Sequence, residues 1–381
     1  ISIKIEYPAF STHFYGTCIL NRRCLEAGAK YPRSQPYAVS AFRGRPKQSS
    51  LQALLSGPHF PRAGFNKKAG MTQVFIDGSS GTTGLRIRER LEGRQELTLI
   101  TLPEESRKDP EARRNALNSA DVAILCLPDA AAIEAVSLIT NPNTIVLDAS
   151  TAHRTAPGWA YGFPELGSGR EEAIRTSRRI AVPGCHASGF IALVSPLVEA
   201  GILSPDARLS ITSLTGYSGG GKKMIAEYES EGRSPLLDAP RAYALPQHHK
   251  HLPEMKALTG LHTLPAFLPI VGDFYSGMLV TVPVFREDLL NGATIEDIRR
   301  VYQSRYRGPI VSYRENADES GFLSALSLSG LDRMDVSVFG NEDRILLAAR
   351  YDNLGKGASG AAVECLNLVI GAAPETGLRL V

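Results

Sequence analysis

TQVFIDGSSGTTGLRIRERLE, residues 72–92, reads as three consecutive instructions. Residues 72–77 are a short apolar strand, Gly78-x-x-Gly81-x-x-Gly84 is a glycine-punctuated turn, and the following residues repeat apolar side chains at helical spacing. The glycines allow a close backbone approach to a pyrophosphate, and a helix start offers N–H groups with positive potential. Gly78, Ser80, Gly81, Thr82, Thr83 and Gly84 are therefore the candidate cofactor-binding residues. The spacing departs from the usual GxGxxG, so a plain tight turn stands beside the cofactor reading.

Working outward, LTLITL (97–102), DVAILCLP (121–128) and NTIVLDAS (143–150) are further strand-like runs, with the helix-forming DAAAIEAVSLI between the last two. Such alternation predicts a parallel, doubly wound sheet. After the second strand an acid would read the ribose of NAD. Ser106, Arg107 and Lys108 gather there instead and suit a 2′-phosphate, hence NADP, while Glu104 and Glu105 keep NAD open. Cys126 falls within an apolar run and reads as core, and Ser150 ends a strand where ligands of such sheets bind.

VPGCHASGF (182–190) sets a cysteine between a Pro-Gly turn and a helix predicted to run from Ala187 to near Gly201. A thiol at a helix start meets free N–H groups and a positive dipole end, which lower its pKa and favour the thiolate. Cys185 is the candidate nucleophile; a small buried cysteine is the structural alternative.

From there the chain offers strand-like runs without regular intervening helices, as in SGMLVTVPVF and DRMDVSVFGNEDRILLAARYDN, so 185–353 reads as α+β. Gly219-Gly220-Gly221-Lys222 follows a strand and could present amides and an ammonium to an anion, or be a flexible loop. His248, His249 and His251 crowd into QHHKHLPEM ahead of Glu254. The block lacks HExxH geometry and a second ligand group, so no metal is expected; a thiolate nucleophile needs a proton carrier, and histidine serves near neutral pH.

The 381 residues are 43% hydrophobic and 21% charged, enough for about two domains. Five scattered cysteines without a CxxC pair argue against a disulfide framework or structural zinc and fit a reducing cytosol. Residues 1–70 hold 11 Lys/Arg against two acids, the rest 31 against 37. That basic leader lacks sustained periodicity and is expected to be disordered, with a non-native segment and Met71 as the natural start the leading expectation; targeting or nucleic-acid binding are the alternatives.

GSSGTTG, DASTAHR, VPGCHASG, TGYSGGGKK, HHKHLPEM and DNLGKGASGAAVECLN, in this order over 71–381, resemble the N-acetyl-γ-glutamyl-phosphate reductase family of arginine biosynthesis, particularly its shorter second type. The resemblance implies a fold similar to aspartate-semialdehyde dehydrogenases: a Rossmann NADP-binding domain of 71–184 plus 354–381, and an α+β catalytic and oligomerisation domain of 185–353. It implies NADPH-dependent reduction of N-acetylglutamyl 5-phosphate to the 5-semialdehyde and phosphate through a cysteine thioester. Carried residue by residue, it makes Cys185 the nucleophile and His249 the acid/base group, with His251 as runner-up. The resemblance sets Tyr243 and Glu254 at the substrate and Asn353 at the nicotinamide, and implies a buried Cys365; the residues themselves add Ser218 and Lys222 at the substrate and Arg107 and Ser150 beside the glycine turn at the cofactor. The implied partners are a small-molecule substrate and copies of the chain, as tetramer or dimer, in the cytoplasm, with neither nucleic acid nor membrane. Another acyl-phosphate reductase, such as an aspartate-semialdehyde dehydrogenase, and a non-catalytic NADP-binding regulator are the competing readings.

Overall fold

A computed structural model of the chain describes residues 70–381; the expectations for the basic leader lie outside the described residues. Strand β1 (Thr72–Asp77) enters helix α1 (Thr82–Leu91), and the alternation continues through β2 (Leu97–Ile100), α2 (Pro110–Ser119), β3 (Val122–Leu125), α3 (Asp129–Leu138) and β4 (Ile145–Asp148). Then come β5 (Ala160–Tyr161), α4 (Arg170–Thr176) and β6 (Arg179–Ala181). These strands form one parallel sheet in the order β2-β1-β3-β4-β6-β5.

Its two faces follow from strand periodicity, because successive side chains point to opposite sides. Val74 and Ile76 of β1 and Val122 and Ile124 of β3 pack with Ile87 and Leu91 of α1. Phe75, Ala123 and Leu125 pack the other way, onto Ala116 and Leu117 of α2 and Ala132 and Ala135 of α3. Strands buried on both faces read as continuous apolar runs, which is why VAIL and IVLD show no alternation.

Helix α5 (Cys185–Glu199) leads away from this sheet. It is followed by β7 (Ser210–Gly216), α6 (Gly221–Glu229), β8 (Arg241–Ala242), α7 (Leu252–Thr259), β9 (Ala266–Gly272), β10 (Met278–Phe285), α8 (Ile295–Arg305), β11 (Val311–Tyr313), β12 (Met334–Gly340) and β13 (Arg344–Tyr351). The second sheet is mixed and seven-stranded, in the order β11-β12-β13-β10-β7-β9-β8. One face buries Val280, Val282 and Val284 against α5 and against Ile298 and Tyr302 of α8. Helices α6, α7 and α8 fall irregularly among these strands, in keeping with the α+β reading. Helix α8 carries a capping box, Thr294 with Asp297, a T-x-x-D signal present in the sequence.

The chain closes with a π-turn, Gly355–Ser359, and helix α9 (Gly360–Ile370). Ala361, Ala362, Val363, Cys365 and Leu366 of α9 join the core of the parallel sheet. Lys356, fully buried, bridges Glu165 and Glu364, so the charge entering that core is paired.

Candidate active site

Two strand-to-helix turns face one another across a cavity of about 570 Å³. Gly81, Thr82 and Thr83 of the first turn and Cys185 and His186 of the second line it, together with Ser218, Lys222, Tyr243, His249, His251 and Asn353. A cavity of about 400 Å³, lined by Gly78, Ser80, Thr101, Arg107 and Lys108, adjoins the β1 end.

The first turn is built by its glycines. Gly78 has φ +86°, and a Cβ there would stand 2.3 Å from the Cys126 carbonyl oxygen; one on Gly84 would stand 2.4 Å from the Gly78 oxygen. Gly81 caps α1 with no side-chain acceptor, and the first helical turn holds no acid, so the N–H groups of that turn have no side chain to satisfy them. These unclaimed donors fit a pyrophosphate, while Gly84 is buried and acts by letting helix and strand approach. Thr101 stands just past β2, where a ribose-reading acid would be; Arg107 pairs with Glu104 at 3.2 Å. Ser150 is buried and lines neither cavity, and its hydroxyl donates to Asp148 at 2.7 Å. Cys126, expected in the core, lines the larger cavity, and burial pushes its thiol up to about 12.

The second turn is equally tight. A Cβ on Gly184 would lie 2.3 Å from Arg154 Nη1, 2.7 Å from His251 Nε2 and 2.8 Å from Glu254 Oε2, so glycine alone fits. Glu254, expected at the substrate, is instead buried beneath this turn, its Oε1 accepting from the Gly184 amide (2.8 Å) and the Tyr161 hydroxyl (2.6 Å). Its Oε2 accepts from Arg154 at 3.0 Å. Arg154 also donates to the Val182 and Ala149 carbonyls, tying two strand ends of the parallel sheet to α7.

Cys185 is the first residue of α5, and its side chain keeps part of its surface open. Gly357 of the π-turn approaches so closely that a Cβ there would lie 3.2 Å from Cys185 Cβ. The expectation of a lowered thiol pKa is corrected: burial pushes it up, and Glu254 adds to that push. Arg154, the His186 amide and Lys250 pull it down without prevailing. Desolvation of a charge outweighs one helix end, so the thiolate must be formed with help.

That help stands opposite. His249 and His251 lie edge to face with centroids 4.8 Å apart, and His249 Nδ1 accepts the His251 amide at 3.2 Å, leaving the Nε2 proton of the neutral ring as its donor. Burial lowers His249 to about 4 and His251 well below the ordinary histidine value, so both rings are neutral at pH 7. His251 is buried with Nδ1 unpartnered. Tyr243 donates to, or accepts from, His186 Nε2 at 2.7 Å, and Asn353 Nδ2 donates to Ser218 Oγ at 3.0 Å while its Oδ1 accepts the Gly277 amide. Lys222 and Lys250 bring ammonium groups to the cavity, and neither has a carboxylate partner among the described residues. The site thus offers a thiol, neutral imidazoles and uncompensated positive charge, which suits acyl transfer from an anionic substrate.

Sequence reasoning left out Arg154 and His186. Arg154 stood in DASTAHR and His186 beside the cysteine, but their partners are 100 and 57 residues away, and no local spacing announces such pairs.

Residues 73–176 match the family described as semialdehyde dehydrogenase, NAD binding domain, and residues 185–353 the semialdehyde dehydrogenase dimerisation domain. N-acetyl-gamma-glutamyl-phosphate reductase of Rhizobium meliloti is 46% identical over 307 residues, covering 79% of this chain and 99% of that protein. N-acetyl-gamma-glutamyl-phosphate reductase 2 of a Nostoc species is 44% identical over 318 residues, 80% of this chain and 99% of that one. Among solved structures, aspartate semialdehyde dehydrogenase II of Vibrio cholerae in complex with ASA superposes with a TM-score of 0.61 at 17% identity, covering 80% of this chain and 99% of that one; at that identity the likeness shows the fold.

Proposed function

The chain belongs to the N-acetyl-γ-glutamyl-phosphate reductase family, and from that premise we propose that Cys185, with the neutral imidazoles of His249 and His251 beside it, performs its chemistry. The reaction is the nicotinamide-dependent reduction of N-acetylglutamyl 5-phosphate to N-acetylglutamate 5-semialdehyde and inorganic phosphate in arginine biosynthesis. The observation that carries the assignment is the Cys185 turn, set across one cavity from both the uncapped α1 start and the histidine block.

The Cys185 sulfur bonds to the acyl carbon, the carbon–oxygen bond to phosphate breaks, and the thiol's proton leaves with the phosphate by way of the imidazoles. Reduced nicotinamide, when bound at the α1 start, would supply a hydride to the thioester carbon, whose carbonyl electron pair then rests on the oxygen of the Cys185-bound carbon. His249 steadies that oxygen from Nε2, and breaking of the carbon–sulfur bond frees the aldehyde and the thiolate. Lys222 and Lys250 hold the substrate's anionic groups. Asn353, fixed by Gly277 and Ser218, shapes the wall beside Cys185.

A second role falls to His251. Its Nε2 stands beside Gly184, one residue from the thiol, which makes it the candidate to receive the thiol proton once substrate displaces the resting contacts. Alkylation of Cys185 by iodoacetamide separates the two: His251→Asn slows alkylation at pH 7, whereas His249→Asn leaves it unchanged and lowers kcat about 100-fold. Equal alkylation in both variants would contradict the division.

The cofactor is NADP. Thr101 in place of an acid and the Arg107, Lys108 pair at the adjoining cavity support it. Copies of the chain associate through the open face of the mixed sheet, where Leu268 and Phe285 are 43% and 55% exposed and Leu214 and Leu279 half-buried, an apolar patch that suits a partner of the same kind. No described helix is long and apolar enough to cross a membrane, and the free Cys126, Cys185 and Cys365 suit the cytoplasm.

A further inference from the structure

Ser213, His186 and Tyr243 form a chain of hydrogen bonds ending at the cavity: Ser213 Oγ to His186 Nδ1 at 2.7 Å, and His186 Nε2 to the Tyr243 hydroxyl at 2.7 Å. Distances alone leave two polarities open, since a neutral imidazole donates from one nitrogen and accepts at the other. Ser213 decides between them. It is fully buried on β7, and among the described residues its hydroxyl has no partner but His186. If His186 donated from Nδ1, the Ser213 proton would be buried with no acceptor, at the full desolvation cost of that group. If Ser213 donates, the His186 proton lies on Nε2 and is given to the Tyr243 oxygen. The phenolic proton of Tyr243 is then left free, and Tyr243 lines the cavity.

We propose that Ser213 and His186 are positioning residues that fix Tyr243 as a hydrogen-bond donor to the anionic oxygen formed on the carbon attached to Cys185. Burial lowers His186 to about 3, so the ring stays neutral and Nδ1 remains an acceptor throughout the working pH range. The ring also packs against His249 and Phe267, at centroid distances of 5.6 and 5.3 Å, and these contacts help hold its orientation. A tyrosine whose oxygen already receives a hydrogen bond donates its own proton more strongly, because the bonds polarise one another.

The inference rests on the thioester reading above, and its test separates the two. Tyr243→Phe is expected to lower kcat about 100-fold, the loss typical of an oxyanion donor, with KM for the cofactor unchanged. Ser213→Ala is expected to lower kcat about five- to tenfold in the wild-type background and less than twofold in the Tyr243→Phe background. An equal loss in both backgrounds is what a merely structural serine would give, and it overturns the relay. Nitrogen-15 resonances of His186 in the resting protein provide a readout independent of turnover: the Nε2–H tautomer at pH 7 is expected, and the Nδ1–H tautomer contradicts the proposal. Should the wild-type protein fail to turn over, the thioester reading falls while the tautomer still judges the relay.

Discussion

The Gly81 and Gly184 turns share a plan: each leads from a strand of the parallel sheet into a helix whose first turn has no side-chain cap. They differ in what surrounds the open end. Around Gly81 the backbone does the work, with glycines bringing strand, turn and helix together and leaving amides unclaimed. Around Gly184 the amide is already taken by Glu254, and the reactive group is a thiol whose surroundings come from four separate stretches: Arg154, the His249–Glu254 block, Tyr351 and Gly357. An anion cradle can be encoded in seven consecutive residues; a nucleophile raised by burial needs partners from across the fold.

The largest effect that would sharpen this contrast is expected from Glu254→Ala. It leaves the Arg154 charge, the Gly184 amide and the Tyr161 hydroxyl without their acceptor in a buried setting. Removing one member of a buried pair costs about 3–5 kcal/mol, so thermal unfolding should shift down by roughly 10 °C. A change within about 2 °C, against ordinary thermal-shift values for a protein of this size, would show that the second turn is held by local backbone after all.

Gly84→Ala strikes the other turn. The new Cβ, 2.4 Å from the Gly78 oxygen, must push α1 away from β1 and spoil the amide cradle. Cofactor affinity measured by fluorescence titration should fall about 10- to 50-fold, as expected for loss of about 2 kcal/mol, while iodoacetamide alkylation of Cys185 stays near wild type. Loss of both would mean the turns are not separable.

Why one turn was legible and the other only in part follows from the same contrast. VFID, the glycines and LRIRERLE encode strand, turn and helix within hearing of one another, and the parallel sheet emerges from repeats of that unit. The reading of Cys185 at a helix start also survives, since the helix begins there. The direction of its pKa did not, because desolvation depends on what the rest of the chain piles around it. Glu254 shows the same limit: a carboxylate near histidines looks like a site residue until the fold turns it beneath Gly184. Ser150 lies two residues beyond the end of β4, and Asp148 claims its hydroxyl.

The smallest effect expected is in acid. His186 titrates near 6.5 when unfolded and at about 3 when folded, so between these values the unfolded chain binds more protons and stability falls as pH falls. The His186 share of that loss should be about 1 kcal/mol from pH 6.5 to 5.5, added to the shares of His249 and His251, so the urea denaturation midpoint falls with pH and falls less steeply in His186→Phe. A midpoint independent of pH across that range would place His186 in contact with water and weaken the picture of a dry second turn.

Covalent capture of the acyl group falls to the sulfur of Cys185. The direct measurement is intact-protein mass spectrometry with peptide mapping after mixing the protein with N-acetylglutamyl 5-phosphate, generated in place by its kinase, with no nicotinamide present. An N-acetylglutamyl adduct on the peptide bearing Cys185, discharged when reduced NADP is added and absent from Cys185→Ala, is the predicted result. No adduct on that peptide, together with phosphate-dependent turnover that persists in Cys185→Ala, would contradict it.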